Sequence, residues 1–134
     1  MYALISAGAA SATAILGKIG VEDVPSNLAT AIRTVVVIVF AWGIVLATGE
    51  HRELGGLKSR TLIFLGLSGV ATGVSWIAYY KALKMAPASH VAPIDKMSLA
   101  LTIVLAGVFL GEKLTWKVIG GAILMVAGAL LTTA

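Results

Sequence analysis

The sequence contains no cysteine. That excludes a disulfide framework, thiolate metal sites and a cysteine nucleophile, and it leaves the redox compartment open. Charge is almost as scarce: Asp, Glu, Lys and Arg make up 12% of the 134 residues, against about 25% in a soluble domain. With 59% apolar and aromatic residues, such a chain can neither cover a soluble core with polar surface nor stay solvated as a disordered coil. Its two histidines and scattered carboxylates do not form a metal site, and neither HExxH nor GxSxG occurs. No metal, cofactor or catalytic constellation is expected, and the chain does not read as an enzyme. Ten Lys and Arg against six Asp and Glu give a net charge of +4, yet no basic cluster makes a nucleic-acid footprint. The excess reads as charge flanking membrane spans.

What the sequence does have is long uncharged runs: Tyr2 to Gly17, Thr34 to Gly49, Thr61 to Tyr80, Met97 to Gly111 and Val118 to Ala134. At about 1.5 Å per helical residue, a run of about 20 crosses the roughly 30 Å hydrocarbon core, and only the third is that long by itself. The first and fifth reach full length past Lys18 and Lys117, whose stems let the ammonium snorkel to the headgroups. The second and fourth do so only by carrying Arg33, and Asp95 with Lys96, into the membrane. Such residues cost about 2.5 to 3.5 kcal/mol near a helix centre, so they face a bundle interior or a water-filled cavity.

The expected fold is therefore an all-α polytopic membrane bundle, one domain over 1–134, with helices at about 2–19, 27–48, 60–83, 88–110 and 115–133. Pro25, Ser26 and Asn27 offer a turn and an N-cap, Thr115 a second cap, and Gly111 suits a helix end. The first run lacks the basic segment of a signal peptide and reads as a retained helix. Five spans put the termini on opposite sides, with Arg52, Lys58, Arg60, Lys113 and Lys117 on the N-terminal side and Lys18, Lys81 and Lys84 on the other. Five against three favours a cytoplasmic N-terminus in a cell (inner or plasma) membrane. So weak a bias also suits dual insertion and head-to-tail pairing of two copies.

Candidate functional residues follow from depth and face. Arg33 and Asp95 both lie about 9 to 11 Å from the starts of helices that begin on the same side. They read either as a solute site or as a structural ion pair. Asp95, Ser98, Thr102 and Ala106 share one face of the fourth helix, with Lys96 turned about 100° away. Pro93 removes a backbone donor, frees the Ser89 carbonyl and predicts a kink. On the third helix Gly69, Gly73, Trp76 and Tyr80 form one face, with Tyr79 and Lys81 beside it, giving either an aromatic wall or an interfacial belt. Gly69 and Gly73, and on the fifth helix Gly120, Gly121 and Gly128, are candidate close-packing positions. His90 reads as interfacial. Arg33 and Lys96 against Asp95 leave surplus positive charge, which favours a solute with an anionic group. Asp95 is the candidate proton-coupling carboxylate.

The segments Trp76 to Lys84 (WIAYYKALK), Val91 to Lys96 (VAPIDK) and Phe109 to Thr115 (FLGEKLT) resemble the EamA domain of the drug/metabolite transporter superfamily, in its short single five-span bacterial and archaeal form. The resemblance covers essentially the whole chain. It implies a secondary transporter fold in which two five-helix units form an inverted pair around a substrate path. A chain with one unit then works as an antiparallel homodimer. The Leu110-Gly111-Glu112 turn matches the family's and is taken as structural. The leading expectation is an exporter of small, anionic or zwitterionic metabolites, with a small-molecule substrate, the lipid bilayer and a second copy as its partners. The alternatives are a lipid-linked sugar flippase and a non-transporting membrane subunit.

Overall fold

The computed structural model describes residues 1–133, leaving Ala134 outside. The described residues are all-α: α1 (Tyr2–Val21), α2 (Ser26–Thr48), a short 3-10 helix (Glu50–Gly56), α3 (Ser59–Met85), α4 (Ala88–Phe109) and α5 (Trp116–Leu131). The four longer helices are each long and apolar enough to cross a membrane. Little of their apolar surface is buried within the chain. Mid-helix residues such as Phe40 and Val70 are 70% and 68% exposed, a surface that requires lipid rather than water against it. An all-α membrane protein follows from that surface alone.

The helix ends have local causes. Of Pro25, Ser26 and Asn27, which the sequence offers as a turn and an N-cap, Pro25 takes the capping position of α2 and makes no side-chain cap. Proline suits a helix entry because its fixed φ is already helical and the N–H it lacks would be unpaired there. α2 ends at Gly49, whose φ of 79° is left-handed, a conformation that costs side-chain-bearing residues about 1 to 2 kcal/mol. Gly111, at φ 67°, does the same after α4, and the Glu112 N–H then donates back to the Ala106 carbonyl at 3.3 Å. Within that turn Leu114 seats on Gly107, where a Cβ would lie 2.9 Å from its Cδ1. This is the physical content of the Leu-Gly-Glu motif. The Thr115 hydroxyl accepts from the Val118 N–H at 3.4 Å and starts α5.

α5 is 16 residues, about 24 Å. The sequence predicts it over about 115–133. Thr132 and Thr133 instead turn their hydroxyls back onto the carbonyls of Ala129 and Leu130, at 2.7 and 2.9 Å, and close the helix early.

Contacts divide the chain into two compact units, one of residues 1–18 with 85–134 and one of residues 19–84. The first contains most of α1 with α4 and α5. The second contains the end of α1, then α2, the 3-10 turn and α3. Each is tied by a lysine to a backbone carbonyl: Lys18 Nζ donates to Ala86 O at 3.2 Å in the first, and Lys84 Nζ to Val24 O at 3.0 Å in the second. Lys18 thus does more than snorkel.

Candidate functional site

In the unit of residues 19–84, α2 begins and α3 ends at the same end of a helical hairpin. Arg33 lies seven residues past Ser26, about 10 Å along α2. Trp76 and Tyr80 lie nine and five residues before Met85, about 14 and 8 Å from the end of α3. Arg33 is therefore level with the interval between the two aromatics. Its Cζ sits 3.9 Å from the centroid of the Trp76 ring and 5.5 Å from that of Tyr80. Its Nη1 donates to the Tyr80 hydroxyl at 3.3 Å.

Tyr80 is 5% exposed and makes an edge-on contact with Tyr79, ring centroids 6.2 Å apart. The ring is thus covered within its unit and lies under Arg33. Arg33 itself is half-buried. No carboxylate within residues 19–84 forms an ion pair with it, so in its own unit the guanidinium charge is balanced only by aromatic quadrupoles and a phenol oxygen. Lys81, the next residue after Tyr80, is exposed.

Two further polar residues of α2 belong beside Arg33. Thr30 is buried, at 6% exposure, and its hydroxyl donates to Ser26 O at 2.9 Å. Thr34 is half-buried and donates to Thr30 O at 2.8 Å. Ser26, Thr30, Arg33 and Thr34 lie at helical spacing on one face, so α2 carries a polar stripe of its own. The spacing of four between the hydroxyl residues was visible in the sequence and is the signal that finds it.

In the other unit, Asp95 lies seven residues past Ala88 and is paired with its neighbour Lys96, Nζ to Oδ2 at 3.1 Å. The Cβ directions of adjacent helical residues diverge by about 100°, but the lysine stem is long enough to swing its ammonium back. The two charges thus compensate each other locally. Lys96 is the more open of the two, with 55% of its side chain exposed against 32% for Asp95. Thr102 donates to Ser98 O at 2.8 Å, so that hydroxyl proton is spent within the helix while its oxygen lone pairs stay available. α4 continues unbroken through Pro93, which leaves the Ser89 carbonyl without its usual helical donor. His90 is exposed.

The small residues do not act as contacts within the chain. A Cβ built at Gly69, Gly73, Gly120, Gly121 or Gly128 meets no atom within 4 Å. Between α4 and α5 runs a groove of about 310 Å³, lined entirely by apolar side chains that include Ile103, Leu114, Ile119 and Val126. Among the described residues no three His, Asp or Glu side chains come together as a metal site.

Two comparisons bear on this arrangement. The sequence pattern of the EamA-like transporter family matches residues 1–134. A protein of Sinorhizobium sp described as an "Uncharacterized transporter in cobO 3'region" is 45% identical over 130 residues, covering 97% of this chain and 92% of that protein. No solved structure matches. Helices of membrane length, a family pattern over the full chain and a transporter relative of comparable length converge: the chain belongs to the EamA-like transporter family, as a multi-pass membrane transporter.

Proposed function

We propose that the protein is a secondary exporter of small, anionic or zwitterionic metabolites that works as an antiparallel homodimer by alternating access. The observation that carries this reading is Arg33: a guanidinium about 10 Å into a membrane helix, held by Trp76 and Tyr80 and unpaired by any carboxylate of its own unit. An ion pair serving only to fix helix register would cancel the Arg33 charge, and none does so within its unit. Solute contacts are assigned to Arg33, Trp76 and Tyr80 in one unit and to Asp95, Lys96, Ser98 and Thr102 in the other, with Asp95 as the proton-coupling group. The dimer is supported by the relative's similar length, of which the alignment covers 92%, since inverted-repeat transporters need two such units. A cell-membrane location with a cytoplasmic N-terminus follows the lysine and arginine bias.

Solute flux into proteoliposomes tests the reading, with Arg33→Gln and Asp95→Asn as variants. Both are expected to lose flux while remaining folded and dimeric. Normal flux in both would remove the assigned site, and flux indifferent to an imposed pH gradient would remove proton coupling alone. The groove between α4 and α5 favours a second reading, a lipid-linked sugar flippase, because its wholly apolar lining suits an acyl or isoprenoid chain. Copurifying lipid would select it.

A further inference from the structure

The way Arg33 is held says which part of it remains for a ligand. Its contact with Trp76, 3.9 Å from Cζ to the ring centroid, engages the positive charge through the ring quadrupole and consumes no N–H donor. Its one hydrogen bond uses Nη1, on the Tyr80 hydroxyl. What is left is the opposite edge of the fork, Nε–H with Nη2–H, whose two parallel donors match the two oxygens of a carboxylate. Tyr80 cannot easily yield, being 5% exposed, so the guanidinium is fixed on one side and makes no hydrogen bond on the other.

Charge bookkeeping points the same way. In residues 19–84 the acidic side chains are Glu22, Asp23, Glu50 and Glu53. None pairs with Arg33, and none falls within a membrane-spanning stretch of α2 or α3. A membrane-embedded cation with free donors is costly until an anion meets it.

Building on the transporter reading, we propose that Arg33 is the recognition group for a solute carboxylate, bound side-on by Nε and Nη2. Trp76 and Tyr80 are positioning residues that hold the fork edge-out. Selectivity then follows from planarity and basicity rather than from charge alone. A sulfonate of equal charge is a weaker hydrogen-bond acceptor, and a lysine at position 33 would supply the charge as a point without the fork.

The test uses the full chain in phosphatidylcholine nanodiscs, whose headgroups contain no carboxylate, with Trp42→Phe and Trp116→Phe to leave Trp76 as sole reporter. Trp42 and Trp116 are both exposed and outside the assigned contacts. Trp76 emission is followed on adding acetate and benzoate, with methanesulfonate and benzenesulfonate as controls of equal charge and ionic strength. Saturable shifts with the carboxylates are expected, about tenfold tighter than with the matching sulfonates, a factor equal to one charge-assisted hydrogen bond. Arg33→Lys is expected to weaken carboxylate binding about tenfold or more, and Tyr80→Phe by a smaller factor without abolishing it. Equal response to sulfonates, an Arg33→Lys variant that binds normally, or no saturable response would each overturn the proposal. Parallel uptake of labelled amino and organic acids by proteoliposomes separates the two ideas. Flux without a carboxylate response leaves the transporter reading standing alone, whereas binding without flux of any solute does the reverse.

Discussion

The Arg33–Trp76 contact can be measured as a coupling energy. At an exposed site a cation–π pair contributes about 0.5 to 1 kcal/mol, rising to about 2 kcal/mol when desolvated. Here the separation is 3.9 Å, well inside the roughly 6 Å limit, and Arg33 is half-buried. Those features place the pair in the upper half of the range, at about 1 to 2 kcal/mol. Trp76→Leu removes this contact together with ring packing, and Arg33→Gln removes it together with the Tyr80 hydrogen bond. Only the double variant isolates the shared part, as the amount by which the two single losses fail to add. Unfolding in bicelles titrated with dodecyl sulfate, followed by far-ultraviolet circular dichroism, gives the three differences without relying on tryptophan emission. A coupling of about 1 to 2 kcal/mol is expected. A coupling below about 0.5 kcal/mol, the level at which unrelated sites also deviate from additivity, would refute the view that Trp76 holds Arg33.

Three other outcomes follow. Gly111→Ala forces a Cβ into a left-handed backbone, φ 67°, and should lower stability by about 1 to 2 kcal/mol in the same bicelle assay, whereas Gly69→Ala, with open space around it and no positive φ, should be near neutral or slightly stabilising. Lys96→Met leaves the Asp95 carboxylate without its ion-pair partner and should reduce membrane yield, while the double variant with Asp95→Asn should recover it; a lone Lys96→Met variant that expresses normally would contradict local compensation. Thr115→Ala removes the acceptor for the Val118 N–H and should cost about 0.5 to 1 kcal/mol, read as a lowered midpoint.

The helices were legible because five long uncharged runs, each extendable to about membrane length, leave the chain few options. The positions of Arg33 and Asp95 along α2 and α4 were legible for the same reason, since each run reaches helix length only by extending back through that residue. The partners of Arg33 were not. Trp76 and Tyr80 were recognised as one face of α3, yet which side chain of another helix meets that face depends on how α2 rotates about its axis, and no local spacing encodes that rotation. The reach of Lys96 back to Asp95 was hidden because the angle between Cβ vectors says little about a flexible four-carbon stem. Thr30 and Thr34 were missed although the signal was present: the stripe argument applied to α4 through Asp95, Ser98 and Thr102 holds equally for α2 from Ser26. The 3-10 turn at Glu50–Gly56 lies outside the helices the sequence predicts, since short tight helix between glycines leaves no periodicity to detect.

The central claim, that Arg33 looks onto a polar path through the membrane, is tested most directly by water access beside it. With no native cysteine, single cysteines at Thr34, Phe40 and Val70 can be challenged in membranes with a charged methanethiosulfonate reagent. The account predicts rapid modification at 34, next to Arg33 on the polar stripe, and none at 40 or 70, which lie on the exposed apolar surface. A residue 34 as inert as the other two would contradict it.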